Sequence, residues 1–445
     1  MKPIKRILAL ALALALSLGL AACGGNGNAE NNANVGGGNS ISADDAFDTD
    51  AFIASMPNEL KGTTIKFLNW YDPYKFGQEG QVIDAFKTAT GINVEMIVAE
   101  DGAPYAEKLA GLVATGDAPD IYAMEAPSAH FMKYAQPIAK ATGYDFTDPA
   151  WSTTVKEYYS VDGQLYAANL SYTPFARLYT VVYNKQIMEE FGFSDPWQLY
   201  KEGKWTWQEM EKMSAEFIKQ GPDYYGIGLT AFDAVATTRG LDFMKYNGKQ
   251  WELNLYDADV LEAWRWTLEK KSERILVQGT NTVFDAAKPK CLFTISNTAG
   301  LEKMSTWNSK IKKYGNFAAA PMPYFEGTDA YQMISELNAF AVPIGAKNPK
   351  AVPYFISYFC NLAKYDVDEY YYDAQSKEVM MEVLGSEKKF FNTSSETFRF
   401  DANPFAWNLF NNGTAAQIST FIQSMEYRCQ DNLNQLNEVL ANVQK

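Results

Sequence analysis

A group of aromatic and acidic side chains follows three short apolar segments in the first third of the chain. Exposed rings can stack on the apolar face of a small molecule, and carboxylates can accept hydrogen bonds from its hydroxyl groups. These residue types therefore favour noncovalent recognition of a polar small molecule. The candidate contacts are Trp70, Tyr71 and Asp72 after the first segment, Glu100 and Asp101 after the second, and Glu125 after the third.

Four of the candidates also have a purely structural interpretation, which the sequence leaves open. Trp70 and Tyr71 could close the edge of a lobe, Asp101 could cap a helix, and Glu125 could be a solvated loop acid. We expect ligand contact because all of these residues occupy the same position, directly after an apolar segment of strand length.

The segments around the candidates predict a βαβαβ unit. Residues 64–68, 92–98 and 121–124 are apolar runs of strand length. Apolar side chains recur at helical spacing in the two intervening stretches, which end at Gly91 and Gly116. This alternation predicts a parallel sheet, in which ligands bind outside the carboxyl ends of the strands. The candidates are therefore expected at that edge of the sheet.

Composition excludes several other kinds of chemistry. The 445 residues can form more than one hydrophobic core, and 47% hydrophobic with 21% charged residues is typical of globular proteins. The net charge of -14 disfavours a nucleic-acid partner. His130 is the only histidine, which excludes multi-histidine metal sites. The sequence has no Walker A, HExxH or GxSxG motif, and we expect no metal, cofactor or catalysis.

The N-terminus carries an export pattern. Basic residues at positions 2, 5 and 6 precede the apolar stretch 7–20, which is typical of a signal peptide over residues 1–22. The sequence Leu20-Ala21-Ala22-Cys23 resembles a bacterial lipobox, which implies a diacylated Cys23 on the outer face of a bacterial cell membrane. An ordinary signal peptide with an incidental cysteine is the alternative. Residues 24–40 contain six Gly and six Asn, so we expect 23–61 to be a flexible tether.

The remainder of the chain predicts a second series of strands and helices. Asp162-Gly163 predicts a hairpin turn, and residues 178–183 form the first long strand after it. A helix is expected over 259–274, where Trp264 is in register with apolar neighbours and is assigned to the core. Residues 339–342 predict a strand late in the chain.

A series of degenerate motifs runs through the chain in a fixed order. They are Ala118-Pro119-Asp120-Ile121, 162–166, 178–185, Trp205-Thr206-Trp207-Gln208-Glu209, 284–293, 319–323 and 347–351. In this order and after a lipobox, they resemble the family 1 extracellular solute-binding proteins of ABC importers, whose substrates are mostly sugars and oligosaccharides. The resemblance covers nearly all of the chain from residue 62. One departure is that 284–293 contains Ala-Lys-Pro-Lys where the family has a Gly-Lys element.

The resemblance implies an α/β, two-lobe, type II periplasmic-binding-protein-like fold, with a ligand cleft between lobes that are joined by crossing hinge strands. The crossings are expected near Tyr172 and Asn338. Lobe 1 is then 62–172 plus 338–390, and lobe 2 is 173–337 plus 391–445. On this topology, further residues are expected to face the cleft: Tyr172, Asn297, Glu336 and Asn338.

The function implied by the resemblance is binding without catalysis. The protein would act as a monomer, capture a carbohydrate and hand it to the transmembrane subunits of an ABC importer. A surface-anchored glycosidase or lyase and a binder of another polar solute, such as a peptide, are the alternatives. Cys291, Cys360 and Cys429 lack CxxC spacing, which favours buried free thiols and allows at most one disulfide.

Overall fold

The computed structural model describes residues 47–75, 79–99, 103–124, 129–170, 176–229, 234–241, 244–246, 250–278, 291–297, 317–328, 332–362, 373–385, 389–391 and 409–443. Its strands are β1 Thr64–Asn69, β2 Asn93–Val98, β3 Ile121–Met124, β4 Ser160–Val161, β5 Gln164–Leu165, β6 Ala167–Ala168, β7 Ala176–Asn184, β8 Tyr225–Leu229, β9 Met244–Tyr246, β10 Trp251–Leu253, β11 Leu276–Gln278, β12 Cys291–Asn297, β13 Phe317–Pro321, β14 Gln332–Leu337, β15 Ala339–Ala341 and β16 Lys389–Phe391. Its α-helices are α1 Thr49–Ser55, α2 Glu79–Thr90, α3 Ala103–Ala114, α4 Ala129–Met132, α5 Ile138–Thr142, α6 Thr153–Tyr158, α7 Lys185–Phe191, α8 Pro196–Lys201, α9 Trp207–Phe217, α10 Ala234–Thr237, α11 Ala258–Ser272, α12 Val352–Leu362, α13 Ala374–Gly385 and α14 Ile418–Val443. Short 3-10 helices lie at Asn58–Leu60, Ile218–Gln220, Pro349–Ala351 and Ala415–Gln417.

The first sheet has the strand order β2-β1-β3-β15-β6. β1 pairs in parallel with β2 and β3, and α2 and α3 connect these strands, so the predicted βαβαβ unit is confirmed. β15 pairs antiparallel with β3 and β6. Ile65, Phe67 and Leu68 of β1 are each at most 1% exposed. Burial on both faces of the sheet explains why this segment is a nearly continuous apolar run.

One edge of the first sheet gathers the carboxyl ends of several strands. Asn69 of β1 lies opposite Val98 of β2, and Met124 of β3 lies opposite Ala339. Because β15 runs against β3 and β6, its first residue is also at this edge. We call the segments here the carboxyl edge: 69–72, 98–99, Met124, 169–170 and Asn338.

The opposite edge of the same sheet, the amino edge, is organised by the Asp120 carboxylate. Asp120 is 2% exposed, and its Oδ2 accepts a hydrogen bond of 2.9 Å from the backbone N–H of Lys66. Its Oδ1 accepts backbone hydrogen bonds from Lys347 at 2.8 Å and Asn348 at 2.5 Å. The Asn348 side chain in turn donates to the Thr64 carbonyl at 2.9 Å. These bonds join the starts of the strands to the loop before α12.

The second sheet has the strand order β11-β8-β12-β7-β14-β16, and β13 also pairs with β7. β12 lies on one side of β7, and β13 and β14 pair with successive parts of its other side. Trp205 and Trp207 are fully buried in the core of this part of the molecule. Trp264 is 3% exposed, so its assignment to the core is confirmed.

The predicted turn at Asp162-Gly163 is confirmed. β4 and β5 pair antiparallel on either side of these two residues. Asp162 has φ of 49° and Gly163 has φ of 73°. Two successive positive φ values define the two-residue turn whose twist matches a hairpin, and an Asp-Gly pair is favoured there.

The chain passes between the two sheets at closely spaced points. β6 of the first sheet ends at Ala168, and β7 of the second begins at Ala176. On the return, Asn338 alone separates β14 of the second sheet from β15 of the first. The sequence placed the crossings near Tyr172 and Asn338; Tyr172 itself lies outside the described residues.

The last part of the segment 338–390 does not lie in the lobe that the sequence predicted. Residues 338–390 were expected in lobe 1, but β16 pairs with β14, and α13 contacts β13. Both elements therefore belong with the second sheet, and the chain leaves the first sheet after α12. Tyr183 fixes α13, because the Gln375 side chain donates to its hydroxyl at 3.0 Å.

The predicted tether also ends earlier than expected. α1 and the 3-10 helix Asn58–Leu60 occupy the end of 23–61, which was predicted to be flexible. Phe47 and Phe52 pack their rings on Tyr358, with centroid distances of 6.0 and 5.9 Å. Aromatic burial against α12 thus orders a segment whose composition alone predicts flexibility. Within the described part of the chain, no helix is both long and apolar enough to cross a bilayer.

The three cysteines of the folded region are buried, as predicted. Cys291 begins β12, Cys360 lies in α12, and Cys429 lies in α14. Cys360 packs in a core of the first sheet and Cys429 in the core of the second. Each therefore acts as a small apolar side chain rather than as a crosslink.

Candidate functional site

The carboxyl edge brings part of the predicted site together. Trp70, Tyr71, Asp72 and Asn338 all lie on it. Asn297 ends β12 and Glu336 lies near the end of β14, but the structure describes only their backbones. The remaining candidates lie outside the described residues: Glu100, Asp101, Glu125 and Tyr172.

Trp70 is held as a half-buried ring at this edge. It stands edge-on to Tyr71, at a centroid distance of 5.7 Å, and to Tyr105, at 5.9 Å. Its backbone N–H donates to the Asn69 side chain at 3.1 Å. Edge-to-face packing on two sides fixes the indole while part of it stays accessible. A fixed, partly exposed ring is suited to stacking against a ligand.

Tyr105 has a structural role. It lies in the first turn of α3, four residues after Asp101 in the sequence. In the structure it is 2% exposed, and its hydroxyl donates to the Ala123 carbonyl at 2.6 Å. It therefore ties α3 to β3 and supports Trp70 from behind.

Asp72 shapes the loop that follows β1. Its Oδ1 accepts a hydrogen bond of 3.0 Å from the backbone N–H of Tyr74, and its Oδ2 lies 3.6 Å from Lys75 Nζ. The loop then turns back onto α2, where the Gly80 N–H donates to the Pro73 carbonyl at 3.1 Å. A Cβ at Gly80 would lie 2.5 Å from the ring of Tyr74, so only glycine allows this approach.

The site contains a buried acid that sequence reasoning missed. Glu79 is the first residue of α2 and is 6% exposed. The Tyr71 hydroxyl donates a hydrogen bond to its carboxylate. Its Oε2 is buried and has no hydrogen-bond partner within the described residues. Burial raises the pKa of Glu79 from 4.5 to about 7, and the hydrogen bond from Tyr71 opposes this rise.

A second polar group joins the two crossings. Asn169, at the end of β6, donates through Nδ2 to the Asn338 carbonyl at 2.8 Å. Its Oδ1 accepts hydrogen bonds from the Leu170 N–H at 2.8 Å and from the Cys360 thiol at 3.1 Å. The Asn338 side-chain oxygen is buried and finds no partner in the described part of the chain. The Asn169 side chain thus links the two crossings.

Glu79 is close to this polar group. Burial raises the pKa of the Cys360 thiol, and the charge of Glu79 raises it further. A hydrogen bond from the Leu170 backbone acts in the opposite direction. Nearby, the Tyr159 hydroxyl donates to the Leu337 carbonyl at 2.6 Å, just before Asn338. The carboxyl edge therefore combines the rings of Trp70 and Tyr71, the buried acid Glu79 and the two crossings between the sheets. Within the residues that the structure describes, no cluster of metal-binding side chains occurs.

Comparison with solved structures identifies the fold. The chain is similar to the galacto-N-biose-/lacto-N-biose I-binding protein of an ABC transporter from Bifidobacterium longum, solved with lacto-N-biose, at 14% identity and TM-score 0.62 over 86% of this chain and 98% of that one. It is also similar to UgpB from Mycobacterium tuberculosis, solved with glycerophosphocholine, at 15% identity and TM-score 0.61 over 84% and 99%. An ABC substrate-binding protein from Listeria monocytogenes, solved with cycloalternan, matches at 13% identity and TM-score 0.56 over 86% and 100%. The fold is the α/β, two-lobe, type II periplasmic-binding-protein fold.

Comparison with family models identifies the family. The chain matches none of the curated proteins with which its sequence was compared. The model of the bacterial extracellular solute-binding proteins, however, matches residues 74–360, well over half of the chain. The matched region contains Glu79, both crossings and most of each sheet. The chain therefore belongs to the family of bacterial extracellular solute-binding proteins.

Proposed function

We propose that the protein is the substrate-binding lipoprotein of an ABC importer, capturing a sugar or oligosaccharide between its lobes for delivery to a membrane permease. The observation that carries this proposal is the fixed, half-buried Trp70 at the carboxyl edge, beside the crossings. An indole held from two sides offers a flat apolar surface to a sugar ring without losing further side-chain freedom. Family membership supports a binding role.

The ligands of similar structures support the carbohydrate class. Lacto-N-biose, cycloalternan and mannotriose are bound to three of these proteins. The complex of UgpB with glycerophosphocholine supports a second candidate, a different polar solute. We favour a sugar because an aromatic residue with hydroxyl and carboxyl groups beside it suits a polyhydroxylated ring. A glycosidase or lyase would consume the ligand, whereas a binding protein returns it intact.

We assign ligand contact to Trp70 and Tyr71 in the first lobe. Asp72 acts by holding the loop that carries them, because both of its oxygens already face groups of that loop. We also assign a ligand contact to Asn338, which lies at the crossing between β14 and β15. The other proposed contacts rest on their positions in the chain: Glu100, Asp101, Glu125, Tyr172, Asn297 and Glu336.

The two crossings support closure of the lobes around the ligand. Lobe 1 would consist of the elements on the first sheet through α12, and lobe 2 would consist of the second sheet with α13. A ligand that touches both lobes binds the closed form better, and this difference in affinity shifts the population. Small-angle scattering with and without a saturating ligand measures the change. An unchanged radius of gyration in a tight complex would indicate a preformed site.

The N-terminal pattern supports anchoring through Cys23 on the outer face of the bacterial membrane. The protein would act there as a monomer beside the transmembrane subunits of its importer. Cys23→Ala should release or misprocess the protein, and fractionation of cells measures this. A mutant that stays in the membrane fraction to the same extent would contradict the lipid anchor.

The function is tested with a panel of defined solutes. Maltose, maltotetraose, mannotriose, lacto-N-biose, β-1,6-galactobiose and glycerophosphocholine sample the ligands of similar structures. Ligands that bind the native state raise its apparent thermal stability, so a thermal-shift screen finds them and calorimetry measures their affinity. Chromatography of the ligand after incubation distinguishes binding from turnover. A sugar bound and recovered intact supports the proposal, and glycerophosphocholine alone would favour the second candidate.

A further inference from the structure

Glu79 is in contact with Tyr71, one of the residues assigned to ligand contact. Its carboxylate accepts the hydrogen bond of Tyr71, whose ring packs against Trp70. It is nine-tenths buried, and one of its oxygens lacks a partner among the described residues. A buried acid that is only half satisfied is costly for the fold, and such groups concentrate at functional sites.

The protonation state of Glu79 determines what Tyr71 can offer a ligand. When Glu79 is ionised, it can only accept, so the Tyr71 O–H points inward and the phenol presents lone pairs outward. When Glu79 is protonated, its own O–H can donate to the Tyr71 oxygen. The Tyr71 proton is then available for a ring, glycosidic or hydroxyl oxygen of the ligand.

We propose that Glu79 is a positioning residue that sets the hydrogen-bonding direction of Tyr71, so that ligand binding takes up a proton at Glu79. This inference rests on the proposed function. A ligand seated over Tyr71 removes water from the loop and favours the neutral acid, because burial penalises the charged form. The pKa of about 7 in the free protein places this exchange at neutral pH.

Within the described residues, Glu79 interacts with two titratable groups: Tyr71 lowers its pKa, and its own charge raises the pKa of the Cys360 thiol. Tyr71 faces it from the loop after β1, and Cys360 interacts with it from α12. Burial raises the pKa of the Cys360 thiol, which is therefore neutral at pH 6 to 8. Of Glu79 and Cys360, Glu79 is the group whose charge changes in this range.

The direction of the pH dependence follows from these positions. If the ligand raises the pKa of Glu79, affinity is highest below the pKa of the free protein and falls as pH rises through it. A rise of about one unit from 7 would make affinity roughly fivefold higher at pH 6 than at pH 8. Near pH 7.5, about half a proton would be taken up per ligand bound.

The test is calorimetry on the full mature protein with the panel sugar that gives the largest thermal shift. Affinity is measured at pH 6, 7 and 8, and proton uptake is obtained at pH 7.5 from the binding heat in phosphate and Tris buffers. Glu79→Gln keeps the shape and hydrogen bonds of the neutral acid. We expect it to bind with an affinity that is independent of pH, close to that of the wild type at pH 6, and with no proton uptake.

Two further variants keep the result interpretable. If Glu79→Gln does not fold, Tyr71→Phe provides a second test. It removes the hydroxyl that links Glu79 to the ligand, so proton uptake should also disappear in this variant. Glu95→Gln, on an exposed position of β2, should retain the wild-type pH profile. Wild-type affinity that is equal at pH 6 and 8, or a pH profile that survives in Glu79→Gln, overturns the inference alone. Absence of binding by every panel member overturns the proposed function and the inference with it.

Discussion

Two buried carboxylates at opposite edges of the first sheet have very different surroundings. Asp120, at the amino edge, is 2% exposed and accepts three backbone hydrogen bonds. Glu79, at the carboxyl edge, is 6% exposed, accepts one hydrogen bond from Tyr71 and keeps one oxygen without a partner among the described residues. Both carboxylates lose hydration when they are buried, but hydrogen bonds to both oxygens replace the lost water only for Asp120. The satisfied acid holds the fold, and the unsatisfied acid lies where a ligand is expected.

The largest effect is expected from Asp120→Ala. Three partly buried backbone N–H groups would lose their acceptor and a buried side chain would be truncated, which we expect to lower the free energy of unfolding by ~4 kcal/mol. Urea denaturation of the mature protein measures the loss. Asp117→Ala is the matched control, because Asp117 forms an exposed ion pair of 2.6 Å with Lys66 and should leave stability unchanged. Similar losses in the two variants would refute the structural role given to Asp120.

Glu79→Gln should instead stabilise the protein at alkaline pH. The pKa of Glu79 is raised from 4.5 to about 7 on folding, so the native state binds more protons and loses stability as pH rises through this interval. Removing the charge should therefore raise the free energy of unfolding by ~3 kcal/mol at pH 8 and by less than about 0.5 kcal/mol at pH 4.5. Urea titrations at both pH values test this. Glu95→Gln should give no such difference between them.

The aromatic part of the carboxyl edge should contribute to affinity more than to stability. We expect Trp70→Ala or Tyr71→Ala to weaken binding of the best panel sugar by about 1 to 3 kcal/mol, because each removes a ring from the proposed contact surface. Calorimetry measures the change. Tyr427→Ala, at a position 87% exposed on α14, should bind as the wild type does. Unchanged affinity in both edge variants would place the ligand elsewhere.

The smallest effect is expected at the crossing itself. Tyr159→Phe removes the hydroxyl that donates to the Leu337 carbonyl at 2.6 Å. A single buried hydrogen bond of this kind contributes about 1 kcal/mol, and its loss should appear as a lower urea midpoint. Tyr427→Phe, on the exposed surface, serves as the control. If Tyr159→Phe matched this control, Asn169 alone would account for the polar contacts of the crossings.

Local patterns in the sequence predicted much of the first sheet. The apolar runs at 64–68 and 121–124 became β1 and β3, because strands buried on both faces are almost continuously apolar. A second rule, that ligands bind at the carboxyl ends of parallel strands, led to the prediction that Trp70, Tyr71 and Asp72 lie at that edge. Predicted boundaries differed where distant packing decides order: Phe47 and Phe52 dock on α12, and α13 joins the second sheet.

Glu79 could not be recognised as part of the site from its local sequence. Acids also occupy the first turns of α1, α9 and α11, as Asp50, Glu209 and Asp259, and the sequence signal is the same in each case. None of those three is buried. Glu79 differs because the loop after β1 folds back over it, at a point where Gly80 allows Tyr74 to approach. That fold-back is a tertiary arrangement with no pattern of its own.

The amino-acid sequence alone predicted the βαβαβ unit, the edge at which the candidate ligand contacts were expected, the buried thiols and the family resemblance. The βαβαβ unit follows from the periodicity of apolar residues over short stretches of chain, and the resemblance follows from the order of short motifs. The tertiary arrangement gives Asp120 three backbone hydrogen bonds from β1 and the loop before α12, whereas Glu79 accepts, among the described residues, the side-chain hydrogen bond of Tyr71. The physical reason is that the cost of a buried charge depends on the groups brought around it from distant parts of the chain, such as the Lys347 N–H for Asp120.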